Sequence, residues 1–138
     1  MEENKNHDYS KIVTEQAAFD AEGIDMQTLD KMFENVPEKF RPFMKTSMRR
    51  AVTMSAINGP HVADWTKTDE KKWFPVWLAS AKDGSSSVGL SLGVCGYGGS
   101  NALAGARHVL KSKEMTQHYA AHFRELDEDF YSNNQNKQ

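Results

Sequence analysis

The residues whose types and spacing come nearest to a known chemistry form a glycine cluster at positions 96–101. The segment reads Gly-Tyr-Gly-Gly-Ser-Asn and begins like the fingerprint with which dinucleotide-binding proteins hold a pyrophosphate at a helix N-terminus. Its sixth position is Asn101 instead of glycine, and the residues that follow favour a strand over a helix. Because clustered glycines ordinarily form turns, we expect a hairpin turn here and no cofactor.

A pair of histidines is the best candidate for a metal site. His118 and His122 are four residues apart and would face the same side of a helix, a spacing with which a zinc site can begin. A complete site needs further ligands, and Cys95, His61 and His108 stand at no recognised ligand spacing. We therefore interpret the pair as boundary residues of an amphipathic helix and predict no metal.

Cys95 is the one cysteine of the chain and could be imagined as a nucleophile. A nucleophile elbow requires a small residue where Tyr97 stands and a helix directly afterwards, so we interpret Cys95 as a buried or turn-located thiol. A single cysteine cannot form an internal disulfide, which favours a reducing compartment. Residues 1–8 also lack the apolar core of a signal peptide. These features predict a cytoplasmic location, although a virion protein released by lysis would need no signal either.

Carboxylates are the remaining candidates for catalysis. Four of them surround the predicted strand region: Asp64, Asp69, Glu70 and Asp83. A cleft between sheet and helix could bring two of them together for general acid–base work. Nothing else in the sequence points to such a site. We predict no catalytic residue and keep a small enzyme with a carboxylate-based site as the last of three functional hypotheses.

The stretch 64–78 holds all three tryptophans and interleaves them with lysines. Cations alternating with aromatic rings are typical of surfaces that bind single-stranded nucleic acid. The chain as a whole has 17 basic and 19 acidic residues and a net charge of −2, so it offers no positive field to nucleic acid or to an anionic membrane. We therefore place a protein partner, from a host or a virion, first and single-stranded nucleic acid second. The predicted binding surface consists of Trp65, Phe74, Tyr97, Lys67, Lys71 and Lys72.

The elements that would position these residues begin with helices. Thr14 is a suitable N-cap for a short helix that ends before Gly23, and a weaker helical pattern covers 29–36. The strongest helix is predicted from Pro42 to Asn58, where apolar residues recur at spacings of three and four. Its cations are interpreted as a solvated face; they are Lys45, Arg49 and Arg50.

Three strands are predicted after the long helix. Trp73 to Leu78 is the first, and Pro75 restricts it to an edge or a bulge. Alternation of apolar residues with glycine and serine indicates a second strand over 88–94, and 102–110 is the third candidate. On the first strand, Trp73 and Trp77 would share one face, and either face could be core or binding surface. A three-stranded antiparallel meander follows.

Ser112 then caps a final amphipathic helix that reaches about Phe130. We expect this helix to cover the sheet and to place Phe123 and Trp77 in one core. A chain of 138 residues can bury about two-thirds of its unfolded surface. The sequence therefore predicts one α+β domain over 14–131, between a flexible N-terminal segment at 1–13 and a disordered polar tail at 132–138.

The order of these motifs resembles a known group of proteins. It runs from Glu-Gly-Ile-Asp at 22–25 and Pro-Glu-Lys-Phe-Arg at 37–41 to Trp-Phe-Pro-Val-Trp at 73–77 and Gly-Ala-Arg-His-Val-Leu-Lys-Ser at 105–112. In this order the chain is similar to uncharacterised small α+β proteins common in Bacteroidetes phages, prophages and mobile elements. The resemblance implies an accessory protein and no particular activity. Those relatives carry more tyrosine and phenylalanine in the hairpin that here reads Ser-Ser-Ser-Val-Gly-Leu-Ser-Leu-Gly-Val-Cys-Gly, so an aromatic binding surface there would be reduced in this chain.

Overall fold

A computed structural model describes residues 7–81, 88–99 and 105–132 of the chain. Within these residues the fold is α+β, with five α-helices and one two-stranded antiparallel sheet. The helices and strands are, in chain order, α1 (Glu15–Ala21), α2 (Leu29–Met32), α3 (Arg41–Asn58), β1 (Lys72–Ala81), β2 (Val88–Gly98), α4 (Lys113–His122) and α5 (Arg124–Tyr131). Short 3-10 helices lie at Tyr9–Lys11, Met26–Thr28 and Ala106–His108.

The first helices form where the sequence predicts them. The Thr14 hydroxyl accepts a hydrogen bond from the Ala17 N–H at 3.1 Å and so caps α1. Gly23, with φ of +69°, takes the left-handed conformation that ends it. The second helix is shorter than predicted. Only Leu29–Met32 is α-helical, directly after the 3-10 helix.

The long helix α3 confirms the predicted boundaries and corrects the interpretation of its cations. Lys45 forms an ion pair with Asp30 and Arg49 with Glu15, the latter at 2.7 Å, and both cations are half-buried. Arg50 is only 5% exposed, and the solvated-face interpretation is wrong for it. The partner of Arg50 is Asp127, which is distant in sequence. Helical periodicity therefore gives no sign of the pairing.

The core lies between α3 and α4 and excludes the tryptophans. Its main cluster consists of Ile12, Ala18, Met54, Ala56, Ile57, Leu110, Met115, Tyr119, Phe123 and Leu126. Trp65, Trp73 and Trp77 are only half-buried. Phe123 therefore belongs to the main cluster whereas Trp77 lies outside it, contrary to the expectation that they share one core.

The N-terminal segment joins the domain earlier than expected. Ile12 is buried in the main cluster, and its carbonyl accepts a hydrogen bond from His118 Nε2 at 2.7 Å. A ring nitrogen of His7 bonds the Ile57 carbonyl at 2.8 Å. Residues 7–13 therefore pack on the domain, while 1–6 and the end of the predicted tail, 133–138, lie outside the described residues.

The sheet is one hairpin with an irregular register. Trp73 pairs with Tyr97 and Val76 with Val94, after which the register shifts so that Trp77 pairs with Leu92. The shift leaves Gly93 as an extra residue in β2, which is a β-bulge. Gly96 lies inside β2, so the hairpin turn predicted at 96–101 is wrong for its first residues, and 100–104 lie outside the described residues.

The third predicted strand is reduced to a single bridge in the part of it that the structure describes. Leu110 N–H donates to the Trp73 carbonyl at 2.7 Å, and Trp73 N–H donates to the Leu110 carbonyl at 3.0 Å. Immediately before this bridge, Ala106–His108 forms a 3-10 helix and does not pair with β1. The strand position next to β1 is therefore not continued beyond Trp73 by residues 105–109.

The last predicted helix is divided into two helices, α4 and α5. Ser112 caps α4 through the Met115 N–H at 3.1 Å, as predicted. The helix is interrupted at Phe123, whose φ of −126° and ψ of 23° leave the helical region. The interruption reorients the chain, and α5 brings Asp127 and Glu128 to the hairpin.

Candidate functional site

The outer edge of β1 is the first component of the site. The backbone N–H and C=O of Trp73 are hydrogen-bonded to Leu110, which shows that these groups point away from β2. Backbone direction repeats every second residue in a strand. The backbone groups of Pro75, Trp77 and Ala79 therefore point to the same outer edge.

The opposite strand gives an independent check on this direction. Leu90 is the register partner of Ala79, and its N–H donates to the Glu128 carboxylate at 2.9 Å instead of to β1. The pair is thus of the type that is not hydrogen-bonded within the hairpin, in which both residues turn their backbone groups outward. Ala79 therefore presents its N–H and C=O at the outer edge of β1.

The two edges of the hairpin differ in their hydrogen-bond partners. The β2 edge is covered at Leu90 by Glu128. On the β1 edge, no described residue hydrogen-bonds the outward N–H or C=O of Trp77 or Ala79. Pro75 has no N–H. An outward-facing edge position is where a strand tolerates proline, because no ladder hydrogen bond is lost there. Within the described chain, the edge of β1 is open after Trp73.

A cavity of about 500 Å³ is lined in part by residues of this edge and in part by β2. Its lining residues are Arg50, Phe74, Pro75, Val76, Trp77, Ala79, Val88, Leu90, His108 and Tyr131. We call it the edge cavity. Phe74 and Trp77 lie on opposite faces of β1 yet both line it, so the space includes the edge of the strand. Val88 and Leu90 share the Trp77 face, so the space also extends over that face of the hairpin. The far wall comes from α3, the 3-10 helix before Leu110, and α5.

The third strand is interrupted next to the edge cavity. An antiparallel continuation of the Leu110 bridge would set His108 opposite Pro75, directly on the edge. His108 instead belongs to a 3-10 helix and lines the cavity. The edge position next to Pro75 is therefore not filled by residues 105–109.

Arg50 and His108 of the far wall form a polar cluster with Tyr119 and Asp127. We call it the Arg50 cluster. The Asp127 carboxylate is fully buried. It accepts from Arg50 Nε at 2.9 Å and Nη2 at 3.4 Å, and from Tyr119 at 2.5 Å. It also accepts from Trp77 Nε1 at 2.7 Å. These four hydrogen bonds join α3, α4, α5 and β1 at a single side chain.

The charge states of the Arg50 cluster follow from its contacts. Burial acts to lower the pKa of Arg50, but the Asp127 carboxylate and Tyr119 outweigh it, and the pKa is raised. Burial, helped by Asp127, raises the pKa of Tyr119 well above its ordinary value. The arginine is therefore charged, the tyrosine neutral, and the Arg50–Asp127 pair is internally compensated.

His108 is held as a neutral acceptor. Burial, together with the Arg50 charge, lowers its pKa. Arg50 Nη1 lies 2.9 Å from His108 Nδ1, and because a guanidinium only donates, Nδ1 must accept. The neutral ring then carries its proton on Nε2, which faces the Ser47 hydroxyl at 3.4 Å. A protonated Nε2 cannot remove the serine proton, so this pair is not arranged for nucleophilic catalysis.

Part of the predicted binding surface forms an exposed aromatic group at the start of the hairpin. The rings of Trp73 and Tyr97 have centroids 4.9 Å apart. Lys71 Nζ lies 4.7 Å from the Tyr97 ring centroid, within cation–π range. Tyr97 is 54% exposed. This group is accessible to a partner.

Lys72 is a correction to the predicted surface, because it is only 1% exposed. Its Nζ donates to the Lys67 carbonyl, lies 3.9 Å from Glu70 Oε1, and sits 5.0 Å from the Trp65 ring centroid. Alternation along β1 turns this lysine inward beneath Trp65. It cannot contact a partner directly, whereas Lys67 and Lys71 are exposed.

The six predicted residues do not form one surface. Tyr97 shares a face with its register partner Trp73, and Phe74 points to the opposite face. Phe74 is the only one of the six that lines the edge cavity. The wall residues were missed by the sequence analysis. One signal was available: Asp127 falls on the apolar side of the last helix, four residues after Phe123 and next to Leu126.

The other chemical candidates remain apart from the edge cavity. Burial raises the pKa of the Cys95 thiol, so it is protonated near neutral pH. Hydrogen bonds from Thr66 lower the pKa of Asp64, and neither it, Asp69 nor Glu70 lines the edge cavity. Asp83 lies outside the described residues. Among the residues that are described, no group of three potential ligands is placed to hold a metal.

Comparison with known proteins yields no match: no family model matches the chain, no curated protein is significantly similar in sequence, and no solved structure is significantly similar in fold. The resemblance to phage and mobile-element proteins therefore stays a prediction. Within the described ranges, no helix has the length and hydropathy needed to cross a bilayer.

Proposed function

We propose that this protein is a non-catalytic binding protein whose partner is another protein. The observation that carries the proposal is the edge cavity, a largely apolar space against an open strand edge. Apolar side chains continue this surface over the hairpin, where Leu78 is 63% and Val94 is 61% exposed. Exposed apolar surface that adjoins a cavity is typical of protein interfaces.

The charge distribution also supports a protein partner. The net charge is −2, and the Arg50–Asp127 pair at the edge cavity is compensated, so neither supplies a positive field for a polyanion. The burial of Lys72 removes one of three lysines on which nucleic-acid binding depended. The motif order supports assigning the protein to a phage or mobile element, with the partner in the host or the virion.

Single-stranded nucleic acid is the second candidate, because Lys71, Trp73 and Tyr97 form an exposed cation and aromatic group. Such a group could stack one or two bases. It lies on the face of the hairpin opposite Phe74. The two candidates therefore predict contacts at different residues, which an experiment can separate.

Site-specific photo-cross-linking separates them. A cross-linking amino acid is placed at Leu78, at Tyr97, or at Asn35, an exposed position away from the hairpin, in cells that naturally produce the protein. We expect the Leu78 variant to capture one protein that the Asn35 control does not capture. The captured protein is then purified, and its affinity is measured against the wild type and Leu78→Lys.

The expected result is a saturable complex that Leu78→Lys weakens by about tenfold or more, the effect of a charge placed in an apolar contact. Capture of nucleic acid at Tyr97, with no protein at Leu78, would favour the second candidate. Equal capture at Leu78, Tyr97 and Asn35 would reject both surfaces.

A further inference from the structure

We infer that the open edge of β1 binds an extended segment of the partner protein, which pairs with Trp77 and Ala79 and completes the sheet as its third strand. This inference rests on the proposed function and specifies its mode. The added strand would continue the line that Leu110 begins at Trp73. The three-stranded sheet expected from the sequence would then be completed between two chains.

The backbone groups at the edge define the register. Trp77 and Ala79 each present an N–H and a C=O, and Pro75 presents a C=O alone. An antiparallel segment can therefore form two hydrogen-bonded residue pairs, one with Trp77 and one with Ala79, through four main-chain hydrogen bonds. No acceptor is needed opposite the nitrogen of Pro75, because proline has no N–H. The segment pairs from Trp77 towards the hairpin loop.

The sequence of the β1 edge is suited to pairing with an added strand. Positions 73–81 read Trp-Phe-Pro-Val-Trp-Leu-Ala-Ser-Ala and contain no charged side chain. Natural proteins usually protect an exposed strand edge with charges, proline or a covering group. This edge has only Pro75 within that stretch, whereas the β2 edge has the Glu128 carboxylate on Leu90. The contrast indicates that the β1 edge is kept available.

The far wall favours one extended segment over a second copy of the hairpin. Arg50, His108 and Tyr131 face β1 across the edge cavity. A strand placed about 4.8 Å from β1 would lie between these residues and the edge. A second hairpin would need room for its own second strand further out, in the direction that the wall occupies.

The lining also defines the chemistry of the segment. Side chains that project on the Trp77 face would lie beside Trp77 and Ala79, and this face continues over the hairpin with Val88 and Leu90. All four residues are apolar or aromatic. Charged residues would find no partner there, because the Arg50 guanidinium is already paired with Asp127. We therefore expect an uncharged segment with valine, isoleucine or leucine at alternate positions and no proline opposite Trp77 or Ala79.

The experiment uses the full chain and a panel of soluble octapeptides, acetylated and amidated, that alternate threonine with valine, isoleucine or leucine. Amide hydrogen exchange is followed by NMR. The expected result is that at least one peptide, at millimolar concentration, slows exchange of the Trp77 and Ala79 amides. The same peptide with N-methyl groups on alternate residues keeps its side chains but loses its donors on one edge. It should bind at least about tenfold more weakly when the methylated edge faces β1.

Two variants form a matched pair at the edge. Ala79→Pro removes the outward N–H, and Ala79→Val keeps it with a strand-forming side chain. With folding checked by circular dichroism, the proline variant should lose peptide binding at least about tenfold and the valine variant should keep it. Equal binding by both variants, or no protection of the two amides by any peptide, would overturn the inference.

The outcomes also distinguish this inference from the proposed function. Capture of a protein at Leu78 without any effect of Ala79→Pro would leave the protein partner in place and reject strand addition. Sedimentation of the free protein tests a second copy as the occupant. A dimer that dissociates in the Ala79→Pro variant would show that the edge pairs with itself, which contradicts binding of a partner segment.

Discussion

Replacing Asp127 by asparagine tests whether the Arg50 cluster holds the hairpin on the helices. The substitution keeps the shape of the side chain but removes its charge and turns one acceptor oxygen into a donor NH₂. Asp127 accepts two hydrogen bonds from Arg50 and one each from Trp77 and Tyr119. An amide cannot accept all four, so at least one donor would face another donor.

The expected cost follows from burial. Arg50 is 5% exposed, so it would stay charged in a site without its counter-ion. Breaking a buried ion pair by removing one partner typically costs about 3–5 kcal/mol. A domain of this size is stable by about 5–15 kcal/mol in total. We therefore expect Asp127→Asn to lower the free energy of unfolding by about 3–5 kcal/mol.

Urea unfolding, followed by tryptophan fluorescence, measures this change. The midpoint should fall sharply while the dependence on urea stays similar. Asp129→Asn is the matched control, because Asp129 lies on the same helix, pairs with Arg49, and is 60% exposed at its side chain. It should change stability by less than about 1 kcal/mol. A loss at Asp127 no larger than that of the control would refute the reasoning.

Three further predictions concern other parts of the molecule. Because the pKa of Tyr119 is raised in the folded state, its contribution is present below the ordinary tyrosine pKa of about 10 and declines as pH rises above it; stability measured against pH should fall less steeply there in Tyr119→Phe, and an unchanged slope would contradict this. Cys95→Ser should leave partner affinity unchanged, since the thiol does not line the edge cavity; loss of affinity in a folded variant would assign it a role. Replacing Lys67 and Lys71 by alanine should leave affinity for a protein partner within about threefold, since exposed charges at a rim mainly affect association rate, whereas a reduced salt dependence of binding to single-stranded DNA would support the nucleic-acid hypothesis.

The elements that local chemistry specifies were predictable from the sequence. The start of α1 depends on Thr14, and the extent of α3 depends on apolar spacing and a following Gly59, whose φ is +63°. Such signals lie within a few residues of the feature that they determine. They needed no knowledge of the rest of the fold.

The candidate site could not be predicted in the same way because its parts are far apart in sequence. Arg50 and Asp127 are 77 positions apart. Although Asp127 falls on the apolar side of its helix, neither position indicates the other as its partner. The edge cavity depends on a 3-10 helix at 106–108 replacing part of an apolar strand pattern. Strand propensity depends strongly on tertiary context, so that replacement had no local signal.

The contacts of α5 explain the acidic end of the last helix. Carboxylates near a helix C-terminus are unfavourable to the helix dipole, so they require a compensating partner. The cation for Asp127 is Arg50 of the same chain, and the adjacent Glu128 bonds the β2 backbone at Leu90. Two consecutive residues of α5 thus fix the hairpin, one through Trp77 and one through β2. Because the hairpin is held at these two points, the edge of β1 is pre-organised. Binding of a partner strand would therefore cost little conformational entropy for ordering this edge.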